Sequence, residues 1–532
     1  MKISYHCIKS LWSWNVLWLA VVGIGIGVFM LVTPKYTDDY WYMENLRPWH
    51  EAQMIDYPNC GGDIFRYGIP WERIGETVRQ HYAGDTARVC NMVGAFMVIF
   101  PKWVGSLPPF IAFLFTIWGA FRLSGVEMRR SWLTGIGIAM WVLTMLWHET
   151  MGSEIFQYNY IVSGGLCTGV LLMLRSRPGG VWGMIGFVLL TLLTALWHEG
   201  FTVPLLAGLV VLLIFYRESR NRWTVTAALI LSAGVLWHFC GTSTLSRGLI
   251  SDYSGLGLKR LFRNFYYHRA MWAAAVCVIV YVWKRGWRSY LGNRLYIFLT
   301  TGIIVALGQA FIVDLPRAAW WGDVASVMLT LNILRSFDGR VRGYKGWRGI
   351  VSGTLLLLSG AGLTAMDINA VQFARELPEV IRRDRLNPEG YQFSKAIDYP
   401  WISLPLLQLI HSDRYTYAQM MRWYYGNRDD NTFVLNVVPE GLRHVKGAEG
   451  EPLKEGSPGF IKVGRYVIAP SDSTRAYICR DVEIDYGWFE VKHRDLYMVP
   501  FVSEGDGRRY VYVMPMAKTE YNIGNIKGIR LK

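Results

Sequence analysis

Long apolar runs recur along the first two-thirds of this 532-residue chain, separated by short hydrophilic gaps. A helix that crosses a bilayer needs about 20 mostly apolar residues, because hydrocarbon offers its backbone no outside hydrogen-bond partner. Runs near 11–33, 131–147, 155–174, 181–197, 200–216, 223–240, 270–284, 295–313, 321–336 and 350–366 fit that requirement. The stretch 88–123 is interrupted by Pro101, Pro108 and Pro109. The expected architecture is therefore mainly α, a polytopic transmembrane helix bundle.

Charge sets the expected topology. The chain carries a net charge of +15, which in one patch would point to nucleic acid. Instead the basic residues occupy the gaps: Arg122/Arg129/Arg130, Arg175/Arg177, Arg217/Arg220/Arg222, Lys284/Arg285/Arg288/Arg294 and Arg335/Arg340/Arg342/Lys345/Arg348. Only Glu127, Glu218 and Asp338 oppose them there. Cytoplasmic loops carry such an excess, so no nucleic-acid partner is needed to explain it. With all these gaps on one side, 88–123 crosses once and the spans number about eleven, the N-terminus inside and the C-terminus outside. The first span has no small-residue cleavage site and is longer than a signal-peptide core, so it reads as uncleaved. The 24 Trp and 30 Tyr suit membrane–water interfaces. The expected location is the plasma (inner) membrane of a cell, multi-pass.

Residues 367–532 differ in character and form an expected second domain after a transmembrane module at 1–366. Their early part is mixed and helical, whereas Phe433–Val438, Tyr466–Ala469, Asp481–Val491 and Arg509–Met514 alternate between turn-forming residues, as a small β-rich domain does. With the C-terminus outside, this domain is extracytoplasmic. The seven cysteines include no CxxC pair, which excludes a zinc ribbon or thioredoxin motif. Cys60 and Cys90 flank the first outer loop, as a disulfide or as separate buried thiols.

In this topology the polar residues that need explaining lie on the outer side. The loop 34–88 opens with the adjacent carboxylates Asp38 and Asp39. A carboxylate beside lipid is suited to deprotonate a hydroxyl, while one that merely opens a loop or caps a helix is equally consistent with the spacing. His148–Glu149 and His198–Glu199 each end an apolar run with the letters LWHE. They bring His and Glu to one outer cavity, or they snorkel and cap. No HExxH follows, which excludes a zincin metalloprotease. Asn159 and Tyr160 stand at the entrance of the next span, as sugar-binding groups or as part of an aromatic belt. Lys259, Arg260, Arg263 and Arg269 make an outer loop basic, fit for a lipid phosphate or for general adhesion to anionic headgroups. Arg317 is a further outer basic group at a span end.

The long acidic first outer loop, the span number and the external C-terminal domain resemble the GT-C superfamily of polytopic glycosyltransferases, which includes protein O-mannosyltransferases and lipid A aminoarabinose transferases. Asp38–Asp39 stands where that superfamily's acidic motif is expected, and His81–Tyr82 with Arg88 looks like its later loop cluster. The resemblance covers the layout of residues 1–366 and few identities. It implies a polyprenyl-phosphate or polyprenyl-diphosphate sugar as donor, a glycan, lipid or protein as acceptor, an aspartate base, and basic groups on the departing phosphate. Some relatives bind a divalent metal and others do not; the sequence does not decide. A transporter or flippase for a lipid-linked glycan would place ionisable residues mid-span, and an assembly scaffold would leave the outer cluster without a use.

Overall fold

The computed structural model describes residues 3–35, 38–46, 48–49, 64–84, 87–128, 131–145, 148–240, 265, 267–313, 316–338, 346–387, 390–395, 436–464, 466–485, 491–515 and 526–531. The chain is mainly helical, with a strand-rich C-terminal part. Among the described residues five helices are long and apolar enough to cross a membrane: Lys102–Ser124, Glu154–Ser176, Gly180–Trp197, Arg294–Ile312 and Trp347–Val380. Shorter apolar helices at Leu17–Val32, Leu133–Leu143 and Glu199–Phe215 pack with them. These helices are apolar outward as well as inward. Trp182, Ile279, Trp283 and Ile304 are exposed, and only 28% of the Gly180–Trp197 helix is buried. A helix apolar on all sides with little of it covered by protein is matched to a nonaqueous surrounding.

Close helix approach comes from small residues. A Cβ on Gly164 would meet the Trp320 ring at 2.5 Å, and one on Gly234 would meet the Ala195 carbonyl oxygen at 2.5 Å. Trp320 and Trp321 then fill the centre of one continuous core that runs from Val22 to Ala370.

Three expected segments differ from their sequence reading. The stretch 88–123 divides at Pro101 into a nine-residue helix, Val89–Met97, and the long helix after it. Proline lacks the N–H that an uninterrupted helix would need there. The run at 131–147 forms a helix only over Leu133–Leu143. At 1.5 Å per residue that is about 16 Å, half a hydrocarbon thickness. A π-helical turn at His148–Gly152 follows, and another at Gln157–Val162 widens the next helix. Finally, the boundary drawn at 366/367 falls inside a 40-residue helix, Trp347–Leu386. The polar second half changes what surrounds the helix, which continues to Leu386 even through Pro378, a residue with no N–H to give to the Ala374 carbonyl.

Contacts sort the helix termini into two ends. At one end Arg175 donates to the carbonyls of Arg122 and Leu123, and Arg335 donates to that of Ser124. Trp132 and Arg348 both bind Asp338, Tyr281 packs on Phe337, Tyr216 donates to the Leu291 carbonyl, and Arg294 faces Glu218. Five basic gaps distant in sequence thus share one end. The opposite end collects Lys35, Asp39, Arg88, Lys102, Glu154, His198 and Glu199.

The C-terminal strands are β1 (Gln392–Ser394), β2 (Val437–Pro439), β3 (Glu451–Pro452), β4 (Glu455–Gly456), β5 (Ile461–Val463), β6 (Tyr466–Pro470), β7 (Tyr477–Asp485), β8 (Val491–Val502), β9 (Arg509–Pro515) and β10 (Gly528–Arg530). β1 and β2 pair in parallel, and the other eight form one sheet in the order β3-β5-β6-β9-β8-β7-β10-β4. Antiparallel β7, β8 and β9 make its centre, with Val499 opposite Tyr512. β7 bulges between Cys479 and Val482, where Asp481 adopts φ of 52°, a left-handed conformation that aspartate tolerates. Leu496, Val499, Val511 and Tyr512 lie in the sheet's own core, separate from that of the helices. The Gln392 amide donates to the Val380 carbonyl at 2.6 Å and ties the first strand to the long helix.

Candidate functional site

The acidic pair opens a short helix, Asp38–Met43. The side chain of Asp38 lies outside the described residues. Asp39 is fully buried. Its Oδ1 accepts from the Ser153 hydroxyl and the Ile155 N–H, both at 2.8 Å, and its Oδ2 accepts from the Glu154 N–H at 3.0 Å. The free N–H groups that begin any helix attract an anion, and Asp39 serves that purpose for a helix 115 residues away. Lys102 Nζ stands 3.7 Å from Oδ2 and donates to the Gly152 carbonyl at 2.7 Å. With both oxygens engaged and no exposed face, Asp39 positions the loop. Neither opening a loop nor capping its own helix describes this contact: Asp39 bonds the start of a helix distant in sequence.

Two lysines and one more carboxylate complete this buried cluster. Glu154 is fully buried, with Lys35 Nζ 3.6 Å from its Oε2. Lys35 also donates to the carbonyls of Val98 and Phe100, which ties the end of the first long helix to the turn before Pro101. A Cβ on Gly105 would overlap Glu154 Oε1, so only glycine leaves room for that carboxylate.

A second cluster forms around Arg88 and Glu199. The guanidinium grips the carboxylate with two parallel bonds, Nε to Oε2 at 2.6 Å and Nη2 to Oε1. Burial disfavours the charged guanidinium, but the Glu199 carboxylate outweighs it and the Arg88 pKa is raised. His198 precedes the Glu199–Phe215 helix and caps it, its Nδ1 accepting from the Gly200 N–H at 2.9 Å. That bond fixes the proton on Nε2, which is buried without a hydrogen-bond partner. Burial first, and the Arg88 guanidinium second, push the His198 imidazole down to about 3, so it is neutral at physiological pH. Tyr160 packs against His198 with ring centroids 5.5 Å apart, and Arg317 lies over the Phe156 ring at 4.6 Å. Trp237 donates to the Ala87 carbonyl, which anchors the segment that carries Arg88.

The other expected residues divide. Asn159 and Tyr160 are buried, in the π-helical turn Gln157–Val162. His81 is buried and stacked on Tyr42 at 3.8 Å, whereas Tyr82 is exposed; only the first packs into the loop. His148 and Glu149 lie in the π-helical turn before Ser153, their side chains outside the described residues. Lys259, Arg260, Arg263 and Cys60 lie outside them entirely. Cys90 is a buried free thiol.

Sequence reasoning passed over Lys35, Lys102, Glu154 and a third cluster, His268 with Asp323. His268 Nδ1 and Asp323 Oδ2 are 2.7 Å apart and both residues are fully buried. The carboxylate partner engages Nδ1, and the buried Nε2 has no hydrogen-bond partner. The signal was present: Asp323 is an ionisable residue inside an apolar run, where such residues are costly to keep. Among the described residues no group of three or more His, Cys, Asp or Glu side chains is placed to hold a metal ion. No family model, curated protein or solved structure matches the chain.

Proposed function

We propose that this chain is a multi-pass membrane glycosyltransferase of GT-C type, which transfers a sugar from a polyprenyl-phosphate or polyprenyl-diphosphate donor to an acceptor hydroxyl on the outer face of the plasma membrane. The observation that carries this reading is the separation of the two ends. Carboxylates, imidazoles and a carboxylate-gripping arginine gather at the end opposite the basic gaps, which is the outer end if those gaps face the cytoplasm. About eleven spans, with residues 367–532 outside, belong to the same reading.

In the proposed reaction the acceptor oxygen forms a bond to the anomeric carbon as the bond from that carbon to the phosphate oxygen breaks. The electron pair leaves on the phosphate, and Asp38 takes the hydroxyl proton. Asp39, held by Ser153 and the Glu154 and Ile155 N–H groups, fixes the turn that carries Asp38. Arg317 with Lys259, Arg260 and Arg263 supplies positive charge for the departing lipid phosphate. The Nε2–H of His198 is a donor for a sugar hydroxyl, with Asn159, Tyr160, His81 and Arg88–Glu199 shaping the floor.

One observation favours the alternative, a flippase for a lipid-linked glycan. Asp367 stands halfway along the Trp347–Leu386 helix with its Oδ1 buried and without a hydrogen-bond partner. A proton-coupled transporter keeps such a carboxylate mid-span. The two readings separate in one assay of sugar transfer from polyprenyl-linked donors, using the full chain in vesicles. Asp38→Asn should lower turnover by roughly 10²- to 10⁴-fold, the contribution of a positioned base, while Asp367→Asn leaves it near normal. Normal transfer by Asp38→Asn removes Asp38 as the base, and the enzyme mechanism with it.

A further inference from the structure

Two turns distant in sequence meet at the basic end. The first, 216–222, links the helices Glu199–Phe215 and Arg222–Cys240, and the second, 286–294, links Arg269–Arg285 to Arg294–Val313. The Tyr216 hydroxyl donates to the Leu291 carbonyl, and Arg294 stands 3.8 Å from Glu218, so the turns form one surface. Arg217, Arg220 and Arg222 on the first turn, with Lys284, Arg285, Arg288 and Arg294 about the second, are all exposed. Glu218 is the one carboxylate in these two stretches of sequence.

Four of these cations have partners inside the chain. Arg220 caps the helix Glu199–Phe215 by donating to the carbonyls of Leu213 and Ile214 at 2.8 and 3.0 Å, and Arg294 faces Glu218. Arg222 lies over the Trp223 ring at 5.8 Å, and Lys284 over that of Trp283 at 5.0 Å. The side chains of Arg217, Arg285 and Arg288 have no ion-pair or hydrogen-bond partner among the described residues. Like charges held on one surface repel, and a bound anion relieves that repulsion. The rim of the surface is apolar: Phe215, Trp287 and Leu291 are exposed, and Trp283 is 78% exposed. Val276, Ile279, Val280 and Trp283, all exposed, recur at three- and four-residue spacing, so one apolar stripe runs down the helix Arg269–Arg285 and ends at Lys284 and Arg285. A soluble acidic segment would use the cations and leave the stripe bare. A lipid uses both, with its acyl chain on the stripe and its phosphate among guanidiniums, which pair with phosphate through two parallel bonds.

We propose that the surface formed by the 216–222 and 286–294 turns binds an anionic glycerophospholipid, its phosphate among Arg217, Arg285 and Arg288 and one acyl chain along the stripe from Trp283 to Val276. The proposal rests on the bundle lying in a membrane and is independent of sugar transfer. Selection is by charge: each guanidinium at a membrane surface favours an anionic lipid by about five-fold. A zwitterionic lipid covers the same stripe, but its own ammonium cancels that gain.

Photo-crosslinking of the full chain in vesicles tests this, using phosphatidylglycerol and phosphatidylcholine that carry the same diazirine acyl chain and peptide mass spectrometry to place the label. In the wild type, phosphatidylglycerol should label residues 276–291 at least about ten-fold more than phosphatidylcholine does. The triple variant Arg217→Gln, Arg285→Gln, Arg288→Gln should bring the two lipids near parity, with phosphatidylcholine labelling as before because the stripe is intact. The same three positions changed to lysine keep the charge and should keep the preference. Arg122→Gln with Arg177→Gln, equally exposed but in other gaps, should leave it unchanged. Equal labelling by the two lipids in the wild type overturns the site and leaves the basic face to an acidic protein segment. A preference that survives the triple glutamine variant, or falls as far in the Arg122/Arg177 variant, overturns it too. Because no sugar transfer is measured, a failed glycosyltransferase reading would leave these outcomes unchanged.

Discussion

The two ends of the helix bundle use charge in opposite ways. At the basic end the arginines are exposed or half-buried: Arg175 and Arg335 rest on backbone carbonyls, and Arg348 lies over the Trp132 ring and bonds Asp338 near the surface. At the polar end the charged groups are buried and need named partners: Asp39 has Lys102 and three hydrogen-bond donors, Glu154 has Lys35, and Asp323 has His268. An exposed cation is interchangeable with its neighbours, because water and lipid headgroups solvate it wherever it points. A buried one is specified by geometry, since leaving it unpaired costs several kcal/mol. One end is set by a number of charges and the other by an arrangement.

The largest effect should follow from removing one member of the buried arrangement. Lys102→Met leaves Asp39 and Glu154 short of a cation and should lower the unfolding free energy of the full chain in detergent by about 3–5 kcal/mol. Arg335→Gln, the matching change at the basic end, should cost no more than about 1 kcal/mol. Denaturant unfolding of both variants reads the contrast directly, and equal losses would erase it.

A smaller effect separates the ends by pH. In the folded chain His198 sits near 3, below the ordinary histidine value of about 6.5. A histidine depressed in the folded state binds its proton more readily when unfolded. Its contribution is therefore complete above pH 6.5 and is lost as pH falls from there toward 3, by at most about 1.4 kcal/mol per pH unit. Stability measured at about pH 7 and about pH 5.5, on either side of the ordinary histidine value, should fall less in His198→Gln than in the wild type. The same fall in both would show that the buried imidazole does not titrate as its surroundings require.

This division also explains what the sequence disclosed. The helices and the shared location of the basic gaps were legible because apolar runs and charge excess are properties of composition along the chain. So were β6 and β9, at Tyr466–Pro470 and Arg509–Pro515, although their apolar residues are buried in succession and do not alternate; the run read at Asp481–Val491 overlaps only the end of β7, Tyr477–Asp485, and the start of β8. The first-loop pair was legible as a pair, but the capping role of Asp39 was not, since its partners lie 114 to 116 residues away. Glu154 and Lys102 passed as edges of apolar runs for the same reason. The domain boundary drawn at 366/367 follows a change in polarity at Asp367, and the backbone crosses it as one helix that continues to Leu386.

The central claim is that the two ends face opposite sides of a membrane, the polar one outward. Single cysteines in a chain whose native cysteines are replaced test it in intact cells with a membrane-impermeant maleimide. Tyr82 is exposed on the loop helix beside the polar end, and Arg177 is exposed at the basic end. Tyr82→Cys should label in intact cells, and Arg177→Cys only after permeabilisation. The reverse pattern would turn Asp38, His198 and His268 toward the cytoplasm and contradict an enzyme that works on the outer face.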